Sequence, residues 1–142
     1  MRFNNKVAIV TGGGSGFGEQ ICKNLASEGC MVIINDLRIE GGERVQKEII
    51  DSGGKASFVQ GDVSKDADWR QLVADSLRIY EKIDIVVNNA GFTHRNKPMS
   101  EVDEDTFDRI YAVNVKSLYL ASKHAVPVLE RNGGGVMVTV AS

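Results

Sequence analysis

The stretch Thr11-Gly12-Gly13-Gly14-Ser15-Gly16-Phe17-Gly18 constrains this chain more than any other, with five glycines in eight residues directly after the apolar run 6–11. Glycine supplies 15 of the 142 residues, about 11% against a usual 7% or so, and only two prolines accompany it. In a folded chain, glycine at that level marks backbone that turns tightly or approaches something closely. The octet does not fit G-x-G-x-x-G, because Phe17 stands where the third glycine would follow Gly12 and Gly14. It fits G-x-x-x-G-x-G through Gly12, Gly16 and Gly18. In such a strand-to-helix turn one glycine permits the bend, a second lets the backbone reach a pyrophosphate, and a third lets helix and strand pack closely. The helix that follows offers free N–H groups and a partial positive charge to phosphates, here at Gly14, Ser15, Gly16 and Phe17. A triphosphate-binding P-loop is excluded. Gly13 and Gly18 have its spacing, but Glu19-Gln20 follows where a lysine and a hydroxyl residue are required.

The rest of the chain alternates between two kinds of segment. Residues 6–11, 31–36, 56–60, 83–88 and 136–142 read as short strands, most of them continuous apolar runs, the pattern of strands buried on both faces of a parallel sheet. Helical spacing appears between them. Phe17, Ile21 and Leu25 mark one face of a first helix, and Val45, Ile49 and Ile50 a second. Trp69, Leu72, Val73, Ser76, Leu77 and Tyr80 mark a third. Phe107, Ile110, Tyr111, Val115, Leu118 and Ala121 mark a longer fourth, N-capped by Asp103, with Glu104 and Asp105 suited to its positive end and Pro127 loosening its last turns. This order predicts an α/β fold: a Rossmann-type doubly wound parallel sheet, one domain over residues 1–142, truncated after the fifth strand. Ligands of such sheets bind outside the carboxyl ends of the strands, which gathers residues 11–18, Asp36, Asp62, residues 88–100 and Ser142 at one edge.

Charge and composition narrow the class. Seventeen basic and 19 acidic side chains give a formal net charge of −2, which argues against a nucleic-acid partner. No run approaches the roughly 18 apolar residues of a membrane span. The opening Met1-Arg2-Phe3-Asn4-Asn5-Lys6 does not read as a secretory leader. Cys22 and Cys30 are too few for a disulfide framework, so they read as packing residues in a reducing, cytoplasmic setting. No His/Cys/Asp cluster has metal-ligand spacing.

Asp36 ends the second strand, 18 residues after Gly18. An acid there, with Leu37 beside it, accepts hydrogen bonds from both hydroxyls of an adenosine ribose and repels a 2′-phosphate. NAD is therefore favoured over NADP, although Arg38 is near enough to pair with such a phosphate and Ser15 is neutral.

These residues together resemble the short-chain dehydrogenase/reductase family from Lys6 to Ser142. The motifs Thr11-Gly12-x-x-x-Gly16-x-Gly18, Asp36, Asp62-Val63, Asn88-Asn89-Ala90-Gly91, Asn114 and Ser142 arrive in order. The resemblance implies a hydride transfer between a nicotinamide cofactor and a small-molecule alcohol or ketone, in a homo-oligomer when full length. It implies that Asp62 bonds the adenine amino group with Val63 packing nearby. It implies that Asn88 steadies the sheet and that Asn89, Ala90 and Gly91 line the ribose with their backbone. Asn114 would disturb its helix and hold a water in a proton relay, and Ser142 would be the catalytic serine that bonds the substrate oxygen.

The family's chemistry also uses a Tyr-x-x-x-Lys pair a little over ten residues beyond that serine, so the sequence given reads as part of a longer product. It also predicts that the fifth strand is left as an open apolar edge. The internal match Tyr119-Leu120-Ala121-Ser122-Lys123 precedes the serine. At 100° per residue Tyr119 sits about 140° and Lys123 about 180° around the helix from Asn114, so the three cannot converge. His94, Arg95 and Lys97 read as a solvated loop and His124 as a surface residue. Two rival readings remain open here: a non-catalytic nucleotide-binding module, and a methyltransferase-like sheet, which shares the glycine loop and the acid after the second strand.

Overall fold

The computed structural model describes residues 1–141, so Ser142 lies outside the described residues. Five strands form one parallel sheet: β1 (Val7–Thr11), β2 (Met31–Asp36), β3 (Lys55–Gln60), β4 (Ile85–Asn88) and β5 (Val136–Thr139). Their order in space is β3-β2-β1-β4-β5. The helices between them are α1 (Gly16–Ser27), α2 (Ile39–Asp51), α3 (Asp66–Tyr80), α4 (Glu104–Tyr111) and α5 (Ser117–Arg131). The strand order reverses direction between β1 and β4, and that switch point opens a crevice at the carboxyl ends.

The apolar runs are buried on both faces, as their composition requires. All five residues of β1 are buried, and so are Val32, Ile33, Ile34 and Asn35 of β2. One face packs Ile9, Ile33 and Val86 against Trp69, Leu72, Leu120, Ala125 and Val128 of α3 and α5. The other packs Ala8, Val10, Val32 and Ile34 against Cys22 and Ala26 of α1 and Val45 and Ile49 of α2. At the amino edge of the sheet, the Asp84 carboxylate accepts the Val7 N–H (2.9 Å) and the Asn132 side-chain N–H (2.9 Å), tying β1 and the end of α5 to the start of β4.

Several expectations about packing are corrected. The buried face of α1 is Gly18, Cys22 and Ala26, one position on from Phe17, Ile21 and Leu25. Small residues let the helix lie close to the sheet, and Phe17 is left 80% exposed. Ile50 is exposed on α2. The expected single fourth helix is α4 and α5 joined by a π-helical turn, Ala112–Lys116, which contains Asn114. Asp103 caps α4 as predicted, accepting the Thr106 N–H at 3.0 Å. Phe107, Tyr111 and Val115 are exposed rather than core-facing. Pro127 lies inside α5, which continues to Arg131. β5 stops at Thr139, with Val136, Val138 and Val140 partly in solvent along the predicted open edge.

Candidate functional site

A cleft of about 650 Å³ opens over the carboxyl ends of β1, β2, β3 and β4. Its walls include Gly12, Ser15, Phe17, Asp36, Leu37, Asp62, Val63, Asn89, Ala90 and Gly91, all singled out in the sequence. The sequence also pointed to Arg38, which lines it too. Phe92, from the stretch 88–100 placed at this edge, lines it as well, and Asn35, Gly61, Arg109 and Val113, which were not anticipated, complete it.

The glycine loop divides its labour between positions. Gly12 has φ +64°, a conformation open to glycine, and it makes the turn out of β1. A Cβ at Gly18 would collide with the Gly12 carbonyl oxygen, so Gly18 is what lets α1 press on the loop. Gly16 has φ +54° and faces open space. The first bond closing α1 runs from the Glu19 N–H to the Ser15 oxygen (3.1 Å), so the N–H groups of Gly16, Phe17 and Gly18 precede it and are the helix's orphan donors. Gly14 behaves differently from the expectation. Its N–H donates to Asp36 Oδ2 (2.9 Å), so it fastens the carboxylate instead of offering itself to a phosphate.

Asp36 is thereby fixed. Oδ1 accepts the Arg38 N–H (2.9 Å) and Oδ2 the Gly14 N–H. A carboxylate oxygen accepts two bonds, so each keeps a lone pair for an incoming hydroxyl. Around it α2 closes on the loop. Gly41 and Gly42 come so near Gly14 that no Cβ fits between them. Arg44 donates to the Gly14 oxygen (3.3 Å) and to both Glu19 oxygens (2.6 and 3.1 Å). Those bonds from Arg44, with one from Lys23, hold the Glu19 carboxyl down at about 2. Glu19 thus belongs to an ion-pair network between α1 and α2.

On the far side of the cleft, Asp62 follows β3. Its N–H donates to Asp68 Oδ2 (2.8 Å), and Trp69 Nε1 donates to the Val63 oxygen (3.0 Å), so α3 holds this turn by two bonds. Asp62 Oδ1 accepts from the Ser64 N–H (2.9 Å) and hydroxyl (2.6 Å), and Arg109 on α4 pairs with Oδ2 at 3.1 Å. Burial pushes this carboxyl up, but the bonds from Ser64 and Arg109 outweigh it and leave it below the usual carboxylate range.

The segment after β4 is set by two side chains. The buried Thr11 hydroxyl accepts both the Asn89 and Ala90 N–H groups at 3.0 Å, and the Asn89 side chain donates to the Gly12 oxygen (3.2 Å). Asn114 engages Phe92 through Oδ1 and Nδ2 (2.9 and 2.8 Å). Asn88 is buried at the end of β4, and its Nδ2 has no partner among the described residues. Asn35 is buried beneath the cleft with both amide hydrogens used and Oδ1 unpartnered.

Tyr119 and Lys123 stay away from the cleft. Tyr119 is exposed, and Lys123 Nζ pairs with Asp66 Oδ1 (2.7 Å) on α3. His124 is not a free surface residue as expected. Its Nε2 lies 2.8 Å from the same oxygen, and its side chain is only 12% exposed. Among the described residues no group of His, Cys, Asp or Glu forms a metal site, and no helix is long and apolar enough to cross a membrane.

A parallel sheet with a glycine turn, an acid after its second strand and an Asn-Ala-Gly strand end at the switch point defines a dinucleotide-binding enzyme fold. The short chain dehydrogenase family profile matches residues 6–142, and the chain belongs to that family. It is 49% identical over 142 residues to 4-formylbenzenesulfonate dehydrogenase of Comamonas testosteroni, covering all of this chain and 56% of that protein. It is 34% identical to 7α-hydroxysteroid dehydrogenase of Escherichia coli, again over its whole length and 55% of the relative. The crystal structure of a 3-ketoacyl-(acyl-carrier-protein) reductase from Brucella melitensis in complex with NADH superposes with a TM-score of 0.93 at 41% identity, over 99% of this chain and 58% of that one. The chain spans about half the length of the curated relatives it matches.

Proposed function

We propose that this chain is the cofactor-binding part of an NAD-dependent oxidoreductase that passes hydride between the nicotinamide and a small alcohol or ketone. The carrying observation is Asp36: a carboxylate clamped by two backbone N–H groups at the lip of the cleft, one free lone pair on each oxygen, beside the orphan N–H groups of α1. That is a matched receptor for a ribose diol joined to a pyrophosphate. Solved relatives named as NADH complexes support the same cofactor.

On this reading Ser15, Gly16, Phe17 and Gly18 hold the phosphates, and Gly14 acts through Asp36. Asp36 and Leu37 hold the adenosine ribose. Asp62 accepts from the adenine amino group and Val63 packs on the ring. Asn89, Ala90 and Gly91 line the ribose with backbone held by Thr11. The bound cofactor supplies the hydride chemistry. Ser142 bonds the substrate oxygen. The Asn114 amide is half used by Phe92, which leaves one N–H, one lone pair and the π-turn backbone to hold the relay water. NAD is preferred to NADP because the fixed Asp36 charge repels a 2′-phosphate more than Arg38 attracts it. The enzyme works in a reducing, cytoplasmic setting, supported by two buried free thiols at Cys22 and Cys30. It assembles as a homo-oligomer, supported by the exposed aromatic strip of Phe107, Tyr111 and Tyr119.

Titration of the chain with NADH, NADPH and S-adenosylmethionine, followed by nicotinamide fluorescence, tests the reading. NADH is expected to bind more tightly than NADPH, and Asp36→Ala to narrow that gap. Binding of S-adenosylmethionine with no response to NADH would replace this reading by a methyltransferase-like one.

A further inference from the structure

The Arg109–Asp62 pair joins two parts of the molecule that are distant in sequence: the turn after β3 and the last turn of α4, 47 residues apart. Both residues line the cleft, and the Asp62 side chain is 11% exposed against 41% for Arg109. The bonding of the carboxylate is asymmetric. Oδ1 is taken by the Ser64 N–H and hydroxyl, with Arg109 Nη1 a distant third at 3.5 Å. Oδ2 has Arg109 alone, at 3.1 Å. Arg109 also donates to the Ser64 hydroxyl oxygen at 2.7 Å, so it braces the residue that braces Asp62. Two arms therefore hold the carboxylate, and one lone pair, on Oδ2, is left for a ligand.

We propose that Arg109 is a positioning residue for purine selection, holding Asp62 so that its remaining lone pair reads the six-position of the cofactor's base. This rests on the NAD reading above. An ionised carboxylate only accepts hydrogen bonds. It pairs with the 6-amino group of adenine and opposes the 6-oxo group of hypoxanthine, whose lone pairs face its own. A carboxylate that is free to rotate turns its lone pair off the six-position, and one that takes up a proton can donate to the oxo group, so either change weakens the distinction. Arg109 prevents both. Its Nη1, shared between Asp62 Oδ2 and the Ser64 hydroxyl, restrains the carboxylate against rotation, and its charge favours the ionised form, in line with the lowered Asp62 titration.

The test compares NADH with its deaminated analogue, nicotinamide hypoxanthine dinucleotide (reduced), in fluorescence titrations of the chain. The unsubstituted chain should prefer NADH by about tenfold, the worth of one hydrogen bond to a charged acceptor. Asp62→Asn should bring the ratio close to one. Arg109→Met should lower it to about threefold or less, and Arg109→Lys, which keeps the charge on a shorter side chain, should fall between. A role confined to stability would weaken both ligands alike and leave the ratio unchanged. A ratio that survives in Arg109→Met and Arg109→Lys while Asp62→Asn abolishes it overturns the proposal. So does an unsubstituted chain that binds both dinucleotides equally. Absence of any response to NADH is a different failure: it removes the NAD reading, and this proposal with it.

Discussion

Asn114 holds Phe92 by both ends of one amide, Oδ1 accepting the Phe92 N–H at 2.9 Å and Nδ2 donating to its carbonyl at 2.8 Å. The pairing is that of a strand neighbour, made by a side chain that the π turn pushes out of helical register. It anchors the chain leaving β4 where that chain passes the cleft.

Replacing Asn114 by Ala removes both bonds. Stability should fall by about 1 kcal/mol, the net worth of such bonds near a surface. The sharper readout is amide hydrogen exchange at Phe92, which should accelerate selectively. Exchange that matches the unsubstituted chain would show that the anchor lies elsewhere.

Gly16 and Gly18 should respond differently to the same methyl group. At Gly18 a Cβ meets the Gly12 carbonyl, so Gly18→Ala should destabilise the fold by about 2 kcal/mol or more, as overpacking does. At Gly16 the space is open and only the φ of +54° resists, so Gly16→Ala should cost about 1–2 kcal/mol. Gly16→Ala should nevertheless weaken NADH binding severely, because the new methyl stands where the phosphates approach. Urea denaturation and NADH titration of both variants separate the two roles.

Thr11→Val is nearly isosteric yet strips the acceptor from two backbone N–H groups, those of Asn89 and Ala90. It should cost about 2 kcal/mol or more, while Thr11→Ser, which keeps the hydroxyl, should cost far less. Equal melting temperatures for the two variants would refute the assignment.

Acid should destabilise the chain in a defined window. Glu19 is held at about 2 by bonds from Arg44 and Lys23, and Asp66 at about 2 by bonds from Lys123 and His124. Both lie below their unfolded values, so their contribution is complete above about pH 5 and is lost as the pH falls toward 2. Urea midpoints measured from pH 6 to pH 3 should therefore decline. Arg44→Met should show a shallower decline, because Glu19 then titrates closer to its unfolded value. An identical slope in both would remove Arg44 from the account.

The parallel α/β alternation and the cleft were legible because they follow from runs of apolar residues and from acids and glycines at strand ends. The faces of helices were less so. On α1 the buried face is Gly18, Cys22 and Ala26, and a count of large apolar side chains selects the neighbouring face instead, since both have the same period. Phe107, Tyr111 and Val115 have the spacing of a core stripe and lie in solvent. Arg109 carried no local signal at all: its partner is 47 residues away, and only the folding of α4 across the turn after β3 brings them together. Gly14 was assigned to the right site for a different reason, its N–H being spent on Asp36.

Gly14 is pinned from three directions at once, by Asp36 at its nitrogen, Arg44 at its oxygen, and the α2 glycines against its α-carbon. On the proposed reading, the receptor for the dinucleotide exists in finished form before the guest arrives, and little ordering entropy is left to lose on docking. Affinity at this end of the groove should be governed by how fast the guest leaves, with scarcely any rearrangement to slow its entry.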